Sequence, residues 1–194
     1  MKAFKDYDKV KTYGDGMKLP VGGYVLKILN VKYQQGGKGV SDQIILSFDI
    51  AEGEYAGFYQ KQYKSQDGED KKWKGTYRLW VPSDDGSQED EWTKRRFKTV
   101  MCAFEDSNDG FHWDWDENKL KNKLVGALFN DKEWEFNGKT GFYTNCHSFT
   151  AVQKIRDNDF KIPEPTYLKN SSAASKNTDD FVNVPEGDAE ELPF

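Results

Sequence analysis

The hydrophobic period of this chain changes in its middle and then changes back. Up to Pro82 the apolar residues alternate or gather in short β-branched and aromatic runs, whereas Trp92, Phe97, Val100, Met101 and Phe104 then recur at helical spacing. Ser87, with Asp90 three residues on, resembles a capping box, and Glu89, Asp90 and Glu91 sit where a helix N-terminus favours negative charge. After residue 124 the β-type runs return. The pattern predicts one amphipathic helix set between two groups of strands.

The strands before the helix are residues 24–34 (YVLKILNVKYQ), residues 43–50 (QIILSFDI) and an interrupted third strand within residues 58–81. Ile44, Leu46, Phe48 and Ile50 share one face of the second strand. After the helix, residues 106–117 read as a loop, and strand signals follow at 124–129, 132–136 and 141–152, with Asn137-Gly138 as a hairpin turn. A helix between strands 3 and 4 of a small closed sheet is the layout of the OB fold, an all-β, five-stranded barrel whose strand 2 and 3 face commonly binds oligonucleotides. A split barrel or a small β-sandwich with a helical excursion fits the strand count nearly as well. The expected division is an N-terminal arm at 1–18, an OB domain at 19–168 and a disordered acidic tail at 169–194, poor in apolar residues.

Residues 58–81 carry the binding signal. With residues 58–64 as a strand, Tyr59, Lys61 and Tyr63 fall on one face, giving aromatic, cation, aromatic in a row. A loop follows in which Trp73 stands among Lys71, Lys72 and Lys74, and the chain re-enters a strand through Tyr77, Arg78 and Trp80. Lys61, Lys64, Lys71, Lys72, Lys74 and Arg78 outnumber Asp67, Glu69 and Asp70. Rings interleaved with cations suit a single-stranded nucleic acid, because unpaired bases stack on aromatic faces while phosphates follow positive charge. Tyr59, Tyr63, Trp73, Tyr77 and Trp80 are therefore the stacking candidates and the six bases the phosphate contacts. Tyr77 and Trp80 point to opposite faces of a strand, so one of them belongs to the core.

A net charge of -5 does not oppose this assignment. Residues 170–194 hold one base, Lys176, and six acids, and removing them from totals of 28 and 33 leaves 27 of each in residues 1–169. The body is neutral and the tail holds the excess. There is no apolar run approaching the ~18 residues of a membrane span, and the start Met1-Lys2-Ala3-Phe4-Lys5 lacks the apolar core of a signal peptide, so a cytoplasmic protein is expected. Two cysteines, Cys102 and Cys146, do not make a disulfide framework.

The sequence ends Asp188-Ala189-Glu190-Glu191-Leu192-Pro193-Phe194. Such a segment can place a ring in an apolar pocket, give its terminal carboxylate to an arginine, and use its acids to steer onto a basic rim. The tail resembles that of bacterial and phage single-stranded DNA-binding proteins, in which acids are followed by a terminal Pro-Phe. The body is similar to a phage or prophage class of these proteins through Leu19-Pro20-Val21-Gly22-Gly23-Tyr24 before the first strand and residues 48–57 (FDIAEGEYAG) after the second. The resemblance implies protection of single strands in replication or recombination, with partner enzymes recruited through Glu190, Glu191, Leu192, Pro193 and Phe194. Two departures are Leu192, where many members carry isoleucine, and the insertion at 106–117.

Other chemistry is weaker in the sequence. Cys102, His112, Cys146 and His147 match no zinc-finger spacing, and Gly36-Gly37-Lys38-Gly39 lacks the Ser/Thr and helix of a phosphate loop. Asp114, Asp116 and Glu117 have no nuclease constellation around them, and no nucleophile motif is present. A non-enzymatic protein without cofactor or metal is expected, and a homo-oligomer is compatible with it. The rival from another class is a protein-interaction module that never touches nucleic acid.

Overall fold

The computed structural model describes residues 18–37 and 40–168. Nearly all of the expected arm, and the expected tail with Glu190, Glu191, Leu192, Pro193 and Phe194, lie outside the described residues. Five antiparallel strands form one sheet: β1 (Gly22–Gln34), β2 (Gln43–Ile50), β3 (Thr76–Trp80), β4 (Leu124–Phe136) and β5 (Lys139–Thr150), in the order β3-β2-β1-β4-β5. Among the described residues three α-helices accompany it, α1 (Phe58–Lys64), α2 (Gln88–Ser107) and α3 (Val152–Arg156), with a short 3-10 helix at Glu117–Leu120. No helix among the described residues is long and apolar enough to cross a membrane.

β1 is the hub. Its first half pairs with β4, from Gly22 opposite Phe129 to Lys27 opposite Leu124, and from Leu26 onward it also pairs with β2. The register to β2 shifts between Ile28 and Asn30, so Leu29 is an extra residue, a bulge that bends the strand away from its first partner. The inward residues of β1, β2 and β4 build the core, with Leu26, Ile28, Leu46, Phe48, Val125 and Phe129 at most 1% exposed.

α2 closes the core from one side. Ser87 is its N-cap, its hydroxyl accepting from Asp90 N at 3.1 Å. The Asp90 carboxylate in turn accepts from Ser83 N at 2.8 Å and Asp84 N at 3.1 Å, and meets Lys94 Nζ at 2.9 Å. This network fixes the turn between β3 and the helix. Phe97, Val100, Met101 and Phe104 are buried as their spacing predicts, but Trp92 is 41% exposed and stands outside the stripe. β3 and β5 are the two edges of the sheet, and they face each other through Tyr77 and Phe149, whose rings stack at 4.4 Å. Phe104 meets the same Phe149 edge-on at 5.8 Å.

The β4–β5 hairpin turns at Asn137 and Gly138, with φ of 51° and 72°, the positive values a two-residue turn of this kind requires. Beyond Phe129 it leaves β1 behind. The chain after α3 runs along the freed edge of β4, where Thr166 N donates to Asp131 O and Glu133 N to Thr166 O, both at 2.8 Å. Buried Asn130 holds this strap through Glu164 O at 2.7 Å.

The expectation of a strand at residues 58–64 is overturned. Residues 58–64 are helical, not a strand, so the row Tyr59, Lys61, Tyr63 on one strand face does not exist, and the third strand is confined to Thr76–Trp80. Because Phe104 is fully buried against Phe149, Phe104→Ala should cost about 3–5 kcal/mol in denaturant unfolding, whereas Trp92→Ala on the same helix should change stability by less than about 0.5 kcal/mol. Equal costs would mean that α2 buries a different face.

Candidate nucleic-acid interface

The helix at 58–64 has a specific cause. Asp49 stands on the outer side of β2, and its carboxylate accepts three backbone N–H groups: Ile50 at 2.8 Å, Tyr59 at 2.9 Å and Gln60 at 3.0 Å. Two of these are N-terminal donors of α1 that no helical carbonyl can satisfy. Gly57 enters the helix in the left-handed region at φ 70°. Phe58 and Tyr59 then drop into the core, with Tyr59 meeting Phe48 edge-on at 5.4 Å.

This placement sorts the candidate residues. Tyr59, 7% exposed, is a core residue and no stacking platform; burial pushes its phenol well above the usual tyrosine range. Tyr77, 5% exposed, is likewise core: it lies on Phe149, and Arg96 of α2 donates to its hydroxyl at 3.1 and 3.3 Å. Tyr63 stays on the surface at the end of α1, its ring 5.8 Å from that of Trp73. Trp73 is half-buried and anchored, its Nε1 donating to Phe48 O at 3.2 Å and Gly75 O at 3.0 Å. Gly75 has no room for a side chain, because a Cβ there would lie 2.3 Å from Phe48 O and 2.8 Å from the Tyr59 ring.

The cations divide as well. Lys61, Lys64, Lys71, Lys72 and Lys74 are all exposed, with Lys61 Nζ donating to Ala56 O at 3.1 Å. Gln66 shapes this loop, its amide exchanging two 2.8 Å hydrogen bonds with the backbone of Lys72. Arg78 and Trp80 lie on the outer face of β3, opposite to Tyr77 and Leu79.

Cross-strand register shows what joins them there. Arg78 pairs with Ile45, and Ile45 with Lys32; the neighbouring row is Trp80, Gln43 and Gln34; the row on the other side is Thr76, Ser47 and Asn30. Lys32, Gln34 and Ile45 were not among the sequence-derived candidates, since nothing in the sequence fixes which residues of three strands line up. Bulged Leu29, 38% exposed, extends the apolar part of this face. Asp49 is the one acid on the outward positions of β1–β3 in this register, and its oxygens are occupied by α1. The face therefore presents Lys32 and Arg78 around Ile45, with Trp80 at one end, while Trp73 packs against the core on the inward side of Gly75. Four residue steps separate Thr76 from Trp80, roughly 13 Å of strand.

Cys102, on α2, and buried Cys146, on β5, are both free thiols. Among the described residues no three His, Cys, Asp or Glu side chains come together as a metal site. No known family model matches the chain. No curated protein sequence matches it either.

The Asp49 carboxylate is the structural key to the loop that carries Trp73. Asp49→Ala should lower unfolding free energy by about 2 kcal/mol or more, since charged acceptor and three donors are lost together, and should raise amide exchange across residues 58–64. Unchanged protection at Tyr59 and Gln60 would show that α1 does not depend on this cap.

Proposed function

We propose that this protein binds single-stranded DNA through the outer face of β1, β2 and β3, coating the strand in phage or prophage replication or recombination, and that it is not an enzyme. The observation that carries this proposal is the acid-free row of Lys32, Ile45 and Arg78 beside Trp80, on one face of three paired strands. Bases would stack on Trp80 while phosphates follow Lys32, Arg78 and the lysines at 61, 64, 71, 72 and 74. In this proposal the sheet closes as an OB-type barrel: the Tyr77–Phe149 stack marks the seam between β3 and β5, and α2 lies across it. The segment at 190–194 would recruit partner enzymes, by resemblance to the tails of single-stranded DNA-binding proteins.

One observation favours a rival. Trp115 is 77% exposed, its φ is 69°, and its ring lies parallel to that of Phe97 at 6.2 Å, an unusual presentation of a large apolar surface. Such a ring suits a protein-interaction module. Its chain neighbours are acids at 114, 116 and 117, of which Asp114 is paired with Lys119; the remaining two disfavour phosphates, so this patch and the β1–β3 face would serve different partners.

Trp80→Ala and Arg78→Glu should each weaken binding of a thymidine oligomer about 5- to 100-fold, measured by fluorescence anisotropy, because one stacked ring or one charged contact is worth about 1–3 kcal/mol. Trp115→Ala should leave that affinity within about twofold. The reverse order of effects would move the site from the sheet face to the α2 side.

A further inference from the structure

Trp115 is the most exposed large apolar side chain among the described residues, and the backbone holds it out at a conformational cost. Its φ of 69° lies in the left-handed region, which glycine enters freely and a bulky residue does not. A strained backbone that leaves its side chain this exposed points to a use outside the protein. The segment is also tied down on both sides of the ring. Asn108 donates to Phe104 O and Leu124 O, both at 2.8 Å, Glu105 accepts from Trp113 N at 2.9 Å, Asp114 is paired with Lys119, and Leu120 is fully buried. Phe97 backs the Trp115 ring in a parallel stack at 6.2 Å, and Trp113 flanks both, 5.9 Å from Phe97 and 6.1 Å from Trp115. One face of the indole is supported and the ring as a whole is presented to solvent.

The face of an indole attracts cations through its quadrupole, more strongly than the other aromatic rings do. This fold uses such contacts twice, with Arg96 over Tyr77 at 5.7 Å and Lys123 over Phe111 at 4.9 Å. Among the described residues no cation is placed over Trp115 in that way. The charge of its own segment has the complementary sign: residues 105–117 contain six acids and neither lysine nor arginine. Lys119 pairs with Asp114, whereas Asp116, whose hydrogen bonds are to neutral Asn118, and Glu117 stand outside any ion pair among the described residues. We propose that Trp115 is the docking platform for an arginine-bearing segment of a partner protein, a guanidinium lying flat on the indole and its edge turned to Asp116 and Glu117. Arginine suits this site better than lysine, because its planar group stacks on a ring while donating to carboxylates in the same plane. The site gives the interaction reading of this patch a partner chemistry, and it does not rest on what the β1–β3 face binds.

The full chain, labelled with nitrogen-15 at its tryptophan indoles, tests this site directly. Each of the six indoles gives its own N–H signal, and the acidic residues 170–194 contain none of them, so binding of a cation to that segment is not mistaken for binding at Trp115. The probe is the blocked peptide Gly-Arg-Leu-Arg-Gly, compared with the same peptide carrying citrulline, planar but uncharged, in place of both arginines. The Trp115 signal, identified by its loss in Trp115→Phe, should move and saturate with the arginine peptide, at an affinity about 5-fold or more above that for the citrulline peptide. About 0.5 M salt should remove most of that difference without any substitution. Asp116→Asn with Glu117→Gln, which keeps a capping oxygen at 116, should weaken the arginine peptide about 3-fold or more and leave the citrulline peptide within about twofold. Equal affinities for the two peptides, or an arginine affinity indifferent to both salt and loss of the two acids, would overturn the arginine assignment and leave the patch an apolar interaction surface. A Trp115 signal that neither peptide moves would overturn the site itself, and binding of a thymidine oligomer by the other face would be unaffected by that result.

Discussion

β1 has to serve two partners, and the rest of the sheet follows from how it does so. Its early residues hydrogen-bond to β4, its later residues to β2, and the bulge at Leu29 supplies the bend between these tasks. A straight strand would keep all three strands in one plane and leave Phe48 and Phe129 without each other; bent, it brings those rings to 6.1 Å within one core. The same bend turns the outer side of β1–β3 into the face on which Lys32, Arg78 and Trp80 stand together.

Charge is organised locally in this protein, so its total says little. Residues 1–169 are balanced, yet the outer face of β1–β3 shows cations without available acids, because the carboxylate of Asp49 is spent on the donors of α1. The opposite holds beside Trp115 in the chain, where Asp116 and Glu117 follow it and Asp114 is paired with Lys119. A small sheet can thus present one surface to phosphates and another to a protein without a change of overall charge.

Much of the frame was legible in the sequence. β2 spans the residues its alternation marks, the Asn137-Gly138 turn joins β4 to β5, and Ser87 caps the one long helix. The segment at 58–64 satisfies both periods within its seven residues: FYQKQYK alternates, but it also places Tyr59 and Tyr63 four apart on one helical face. What decides between the two is Asp49, ten residues upstream of Tyr59, and no local pattern reports it. Lys32 and Ile45 escaped for a related reason. Each sits in a strand that the sequence reveals, but their meeting with Arg78 depends on register across three strands and on a bulge that leaves no residue signature. Burial of one of Tyr77 and Trp80 was foreseeable from alternation, and it is Tyr77 that goes inside.

Binding by the β1–β3 face stands or falls on a titration of the unmodified protein with a single-stranded thymidine oligomer and with a duplex of equal length, followed by tryptophan fluorescence across a series of salt concentrations. Stacking on Trp80 predicts quenching by the single strand and little by the duplex. Contacts from about three to five cations predict that the logarithm of affinity falls with the logarithm of salt at a slope of about -2 to -4. Absence of both quenching and mobility shift, or an affinity that ignores salt, would contradict it and leave the Trp115 side as the functional surface.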